Sequence, residues 1–104
     1  MTAAQDIALG SGDQIHRWEI AVDGFWHALT VGQVLHVDCK DDFDKVHIWT
    51  LQPATGAGVR ERNFVVVGTG QPCPRGLYRG TAVTKGGALV WHLIERDETQ
   101  GEMA

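Results

Sequence analysis

The most continuous apolar stretch of the chain follows a Gly-Gly pair, Gly86-Gly87, and reads ALVWHLIE over positions 88–95. Both alternating sets of positions are apolar here, with Val90 and Ile94 in one set and Trp91 and Leu93 in the other. Successive side chains of a strand point to opposite faces, so such a run is typical of a strand that is covered on both sides. The run predicts a core strand and carries no catalytic signature.

Further short runs of β-type residues precede it and are separated by Gly, Asp and Pro clusters. This spacing is typical of an antiparallel sandwich or barrel, and a chain of 104 residues with 13 glycines suits one domain. We therefore expect an all-β, single-domain antiparallel β-sandwich or partly open barrel of about seven short strands. The expected strands are 17–22, 25–31, 33–39, 46–51, 60–67, 77–84 and 88–95.

Tight turns predict which strands pair. The Asp23-Gly24 pair predicts a hairpin between the first two strands, and polar turns at 40–44 and 85–87 predict two more. Segments 1–15 and 96–104 lack hydrophobic periodicity, so we expect flexible extensions around a folded unit at 16–95.

Charge and cysteine usage narrow the class of partner. A net charge of −4 argues against sequence-independent binding of double-stranded nucleic acid, which needs a basic face. Cys39 and Cys73 have no metal-ligand spacing and are expected to be free thiols. No basic start is followed by an apolar segment, so we expect no membrane association and a cytoplasmic location.

The longest loop, GTGQPCPRG at 68–76, is the candidate for anion binding. Its glycines allow backbone N–H groups to converge, and three cations lie nearby in sequence, a combination that can hold a phosphate or carboxylate. It matches neither a dinucleotide fingerprint nor a Walker loop, and a plain turn that reverses the chain between two sheets is the alternative. The candidate residues are Gly68, Thr69, Gly70, Gln71, Arg75, Arg79 and Lys85.

The aromatic residues divide into expected core and expected contact positions. Trp18, Trp49 and Trp91 fall on strand centres and are expected in the core. Trp26 either packs between sheets or serves as an exposed anchor for a protein partner. The candidate protein-contact residues are Phe25, Trp26, Phe43 and Tyr78.

Metal binding and catalysis find little support. If Cys39 pairs with Asp44 across the 40–44 turn, His36 faces His47, but a register slip of one residue separates them. Two imidazoles are fewer ligands than a zinc site uses, so we expect no metal and no cofactor. Ser11 is the only serine, and Cys73 has no neighbouring base in sequence, so we expect no catalytic residues and no enzyme.

Three segments carry a family resemblance: FVVVGTGQP at 64–72, YRGT at 78–81 and GGALVWHLIE at 86–95. Together they resemble a family of small bacteriophage and prophage proteins known as a domain of unknown function, and the resemblance spans roughly 16–95. Members of that family usually carry His where this chain has Gln71.

The resemblance implies an accessory protein that acts inside a bacterial host. We expect it to bind and modulate or inhibit a host protein, for example a component of host defence. Two alternatives stay open: a sponge that sequesters a small anionic signalling nucleotide at the 68–76 loop, and a minor virion or decoration protein. An exposed strand edge would also allow a homo-oligomer.

Overall fold

The computed structural model describes residues 7–40 and 44–98. These residues form seven strands and one short 3₁₀ turn, which confirms the all-β prediction. In chain order the elements are β1 (Gln14–Ala21), β2 (His27–Val31), β3 (Val34–Asp38), β4 (Lys45–Gln52), β5 (Arg60–Gly68), β6 (Gly76–Val83), the 3₁₀ turn Lys85–Gly87 and β7 (Val90–Arg96).

The strands form two antiparallel sheets, one with the order β1-β4-β3 and the other with the order β2-β5-β7-β6. The sheets pack as a sandwich and do not close into a barrel. Both sheets supply the core, in which Ile48 and Phe64 are fully buried, and burying each such side chain contributes roughly 1.5–3 kcal/mol. The buried core cluster comprises Ile20, Val31, Val37, Cys39, Val46, Ile48, Phe64, Val66, Ala82 and Leu93.

The predicted hairpin between β1 and β2 is wrong. β1 pairs with β4, placing Trp18 opposite Ile48, and β2 pairs with β5 in the other sheet. Instead of a two-residue turn, the Asp23 carboxylate accepts hydrogen bonds from Phe25 N and His27 Nε2 and so holds a wider loop between the sheets. The predicted β3–β4 and β6–β7 pairings are confirmed.

Strand β7 lies between β5 and β6. Leu93 on its inner face and Ile94 on its outer face are both buried, so the strand is covered on both sides from Leu93 to Glu95, whereas Val90 to His92 are half-buried. Leu89 precedes the strand and is 40% exposed, so the strand begins two residues later than predicted.

The connection from β5 to β6 is a crossover. Both strands are antiparallel to β7 and therefore parallel to each other. Gly68 ends β5 opposite Trp91, whereas Gly76 begins β6 opposite Arg96, so the intervening segment travels along β7. The alternative interpretation, in which this loop reverses the chain between two sheets, is wrong, because the loop joins two strands of one sheet. We call residues 69–75 the crossover loop.

Two of the three tryptophans predicted in the core lie beside it. Trp18 and Trp91 are partly buried against the core cluster. Trp49 points to the opposite face of β4 from Ile48, because side chains alternate along a strand, and its ring contacts His36 with 5.3 Å between centroids. Its predicted place in the core is therefore wrong.

The strands run from Gln14 to Arg96, close to the predicted folded unit. Just before β1, Asp13 accepts hydrogen bonds from Ala54 N and Gly10 N. The rest of the predicted extensions, residues 1–6 and 99–104, lies outside the described residues. No helix in the described part of the chain has the length and apolar character needed to cross a membrane.

Candidate functional site

The crossover loop passes over the outer face of the β2-β5-β7-β6 sheet. Val65 and Ile94 face each other across β5 and β7 on this side, opposite the side of Val66 and Leu93 in the core. Both are at least 97% buried, and loop residues line cavities together with them. The loop therefore completes a third layer on this part of the sheet.

The loop begins in a turn that closes on itself. Gly68 N donates to the side-chain oxygen Gln71 Oε1 at 2.6 Å, and Gln71 N donates to Gly68 O at 3.1 Å. Gly70 has a φ of 89°, a left-handed conformation that glycine adopts without strain. These bonds hold Gln71 over the sheet at the start of the Pro72-Cys73-Pro74 segment.

A groove of about 500 Å³ lies on the β2 side of the crossover loop. Its lining residues are all uncharged; Trp26 lines it and is 37% exposed, and Phe25, the preceding residue in the chain, is 70% exposed. We call this groove and its two aromatic residues the aromatic groove. Its lining residues are Gly24, Trp26, Val65, Val66, Val67, Gln71, Pro72, Cys73 and Pro74.

Asp23 fixes the loop that carries the two aromatic residues. Its Oδ1 accepts from His27 Nε2 at 2.8 Å and from Phe25 N at 3.0 Å. The hydrogen bond from His27, followed by that from the Phe25 backbone, lowers the pKa of the Asp23 carboxyl. The carboxylate form thus holds the loop closed.

A smaller cavity of about 250 Å³ lies on the other side of the crossover loop, over β7 and β6. There the His92 ring bridges two hydroxyls: Nε2 lies 2.8 Å from Thr69 Oγ1, and Nδ1 lies 2.7 Å from Tyr78 OH. Tyr78 also hydrogen-bonds Thr81. This network fastens the beginning of the crossover loop to both strands beneath it.

The structure does not bring the predicted anion-binding cations together. Arg75 lies at the end of the crossover loop, whereas Lys85 lies in the turn after β6, so the length of that strand, roughly 25 Å, separates them. Arg79 donates from Nε to Glu95 Oε1 at 2.9 Å. Only the predicted residues Gly68, Thr69, Gly70 and Gln71 lie together, in the turn that begins the loop.

The predicted protein-contact residues Trp26 and Tyr78 lie on opposite sides of the crossover loop. Trp26 lines the aromatic groove, Tyr78 lines the cavity on the other side of the crossover loop, and Phe25 is the most exposed large apolar residue described. Phe43 lies outside the described residues. Trp26 is 37% exposed and lines the aromatic groove on the outer face of the sheet, so it does not pack between the sheets.

The predicted direct pairing of His36 with His47 is not formed. His36 lies opposite Trp49 and Asp38 lies opposite His47, a register shifted by two residues from the expected one. Because the shift is by two residues, both histidines stay on the same face of the sheet, but they are diagonal neighbours across β3 and β4 and not a directly opposed pair. No group of three or more His, Cys, Asp or Glu residues within 7–40 and 44–98 is placed to hold a metal ion.

One polar cluster was missed by sequence reasoning. Glu95 is 1% exposed, and three arginines approach it: Arg79 at 2.9 Å, Arg62 at 3.2 Å and Arg60 at 3.6 Å. The sequence did carry one signal: Glu95 lies two positions after Leu93, so an acidic side chain points to the same face of the strand as the apolar core residue. Its arginine partners come from two other strands, so spacing along the chain does not reveal them.

Comparison with known proteins gives a family. Residues 11–104 match the family model described as Domain of unknown function (DUF7352). No curated protein matches the chain. No solved structure matches it either.

Proposed function

We infer the function of this chain, which belongs to the DUF7352 family, from the face that the crossover loop builds. It is a non-enzymatic accessory protein of a bacteriophage or prophage that binds and modulates a host protein in the host cytoplasm. The observation that carries this proposal is the aromatic groove, an uncharged depression lined by Trp26, which follows the highly exposed Phe25 in the chain. The phage context is supported by the resemblance carried by segments 64–72, 78–81 and 86–95.

The groove has the chemistry of a protein-contact surface. Exposing Phe25 and Trp26 together is unfavourable in water, and aromatic anchors beside well-packed apolar pockets often dominate the energetics of protein interfaces. The prolines at 72 and 74 and the Val67 side chain offer apolar contact, and none of the lining residues carries a charge. The groove therefore suits an apolar or aromatic segment of the partner.

The groove is also held in place before any partner binds. Its floor is a hydrogen-bonded strand, β5, and its two walls are fixed by Asp23 on one side and by the Gly68–Gln71 turn on the other. A surface that is already ordered loses less conformational entropy on binding. This favours recognition by a rigid face over folding upon binding.

Cys73 allows a direct test, because it lines the groove and is exposed while Cys39 is buried. Tagged protein is incubated with lysate of a bacterial host, and the recovered material is examined by native mass spectrometry. We expect a stoichiometric host protein that is lost when Cys73 carries a bulky maleimide. Cys73→Ser protein exposed to the same maleimide is the control and should retain the partner.

Capture that is indifferent to the label would show that the partner binds elsewhere and would overturn the assignment of the groove. If no host protein were recovered and the chain were present in washed phage particles, the proposal would be wrong and a virion role would take its place. A retained nucleotide without a protein partner would replace it by the sponge.

A further inference from the structure

A second site lies on the inward side of the same sheet, away from the crossover loop. Phe64 and Glu95 are opposite each other across β5 and β7 and share the face that Val66 and Leu93 present to the core. Glu95 is thus a carboxylate at the level of the core, at the end of the sandwich where Arg60 begins β5. We call Glu95 with Arg60, Arg62 and Arg79 the arginine cluster.

The arginine cluster has more positive charge than its carboxylate needs. All three guanidinium groups lie within 3.6 Å of a Glu95 oxygen, so the cluster has an excess of two positive charges, although the side chain of Arg60 is 52% exposed to solvent. A buried carboxylate needs a counter-charge, but a single hydrogen-bonded arginine supplies it. Three arginines around one carboxylate therefore form a local cationic site in a chain whose net charge is −4.

The two inner arginines differ in how their donors are used. Arg62 is anchored at three points, from Nε to Val31 O at 3.1 Å, from Nη1 to Glu95 Oε2 at 3.2 Å and from Nη2 to Gly58 O at 3.1 Å. Arg79 donates only through Nε within the described residues. Its terminal Nη groups thus keep four N–H donors for a ligand.

A cavity of about 350 Å³ adjoins these donors and is lined by Gln33, Val34, Arg62 and Arg79. Val34 begins β3 of the other sheet and Gln33 directly precedes it, so the cavity opens between the two sheets. Its volume is at the lower end of the range for small-molecule sites. Two guanidinium groups and one carboxamide provide donors for several acceptor oxygens at once.

We propose that this cleft between the sheets binds a small phosphate monoester through Arg79, Arg62 and Gln33. The charge argues for this class: a phosphate monoester carries close to two negative charges at neutral pH, which matches the excess of the arginine cluster, and it presents three acceptor oxygens. Guanidinium groups suit such an anion because their planar donors can bind two oxygens together. A carboxylate would balance only half of the excess charge.

The test is a titration of ¹⁵N-labelled protein with inorganic phosphate, followed by the arginine Nε–H and Gln33 side-chain signals in dilute buffer. We expect saturable shifts at Arg62, Arg79 and Gln33, and weaker binding of acetate. Adenosine monophosphate is the second probe and should shift the same signals. Added NaCl should weaken the binding, because screening reduces the attraction.

Arg79→Gln should weaken phosphate binding by about tenfold or more, since it removes both charge and donors. Arg75→Gln is the matched control, because that arginine is exposed and lies on the crossover loop, and it should leave the affinity unchanged. Gln33→Leu provides a variant that does not touch the ion pairs and should also weaken binding.

The proposal would be overturned if no signal showed a saturable shift up to roughly 10 mM phosphate. Such a result would mean that the free energy of binding is weaker than about 3 kcal/mol. Equal weakening by Arg75→Gln would also overturn the proposal, because it would indicate a general charge effect. Acetate binding as tightly as phosphate would contradict the assignment of a phosphate monoester.

Discussion

The carboxylate of Asp23 lies 2.8 Å from Nε2 of His27, and this contact holds the loop that carries Phe25 and places Trp26 in the lining of the aromatic groove. The same oxygen accepts a hydrogen bond from Phe25 N. The position of the exposed aromatic pair therefore depends on one ionised side chain at the surface.

The first prediction concerns the effect of low pH on the loop held by Asp23. The folded-state pKa of Asp23 is below its ordinary value of 3.8, so its contribution is fully present above that value and is lost as the pH falls through the lowered one. We expect the Phe25 amide signal to move over that acidic range in an NMR pH titration. Asp23→Asn should abolish this transition, whereas Glu61→Gln, an exposed change on β5, should leave it in place.

The second prediction concerns the layer beneath the crossover loop. Ile94 is 2% exposed although it points away from the core, so Ile94→Ala should leave a cavity and destabilise the fold by about 2–5 kcal/mol in urea unfolding. Val83→Ala on β6, where the side chain is 50% exposed, is the control and should change stability by less than about 0.5 kcal/mol. If Ile94→Ala lowered the free energy of unfolding by less than about 0.5 kcal/mol, like the control, the crossover loop would not cover this part of the sheet.

The third prediction tests the contact between β6 and β3. A Cβ at Gly80 would lie 2.6 Å from Val37 Cγ2, whereas one at Gly10 would come no closer than 3.4 Å to its nearest neighbour, Asp13 Oδ2. Gly80→Ala should therefore cost about 1–3 kcal/mol through overpacking, measured by thermal and urea unfolding. Gly10→Ala is expected to be nearly neutral, and equal effects of the two changes would contradict the packing described.

The fourth prediction concerns the arginine cluster. Glu95→Gln removes the buried carboxylate and leaves the facing guanidinium groups without a counter-charge, so we expect a loss of about 3–5 kcal/mol in phosphate-free buffer. Glu61→Gln serves as the surface control. A stability change below about 1 kcal/mol would contradict this expectation and show that solvent screens the guanidinium charges without the carboxylate.

The fifth prediction is selective thiol chemistry. Cys39 is 0% exposed in the core and Cys73 is exposed. We expect one thiol per folded chain to react rapidly with Ellman's reagent and the second to react only after unfolding. Cys73→Ser should eliminate the rapid phase; a rapid phase that survives this change would place Cys39 within reach of solvent.

The fold class was predictable because alternation and turn residues are local signals. The ALVWHLIE run predicted a strand with two covered faces, and Leu93 and Ile94 are both buried. The partner of β1 was not predictable in this way, since the Asp23-Gly24 signal is local whereas the choice of β4 depends on contacts far apart in sequence. The crossover made by residues 69–75 was not predictable for the same reason, because it depends on both β5 and β6 pairing with β7.

The candidate site was predictable only in part. The aromatic residues at 25 and 26 were recognisable as contact candidates, and the structure places Trp26 beside Gln71 and Pro72 in one groove. Arg79 was grouped with the loop by its sequence position, yet its side chain turns to Glu95 on the inward face. A β-bulge between Tyr78 and Gly80 accompanies this change of direction, and bulges leave little trace in sequence.

The most direct test of the proposed binding function is photo-crosslinking from two exposed apolar positions. A photoreactive amino acid replaces Phe25, which is 70% exposed, or Ile15 on the other sheet, which is 54% exposed, and the protein is irradiated in host lysate. We predict that one stoichiometric host protein is crosslinked from position 25 and not from position 15. A partner crosslinked equally from both positions, or from position 15 alone, would contradict the assignment of the aromatic groove as the binding surface.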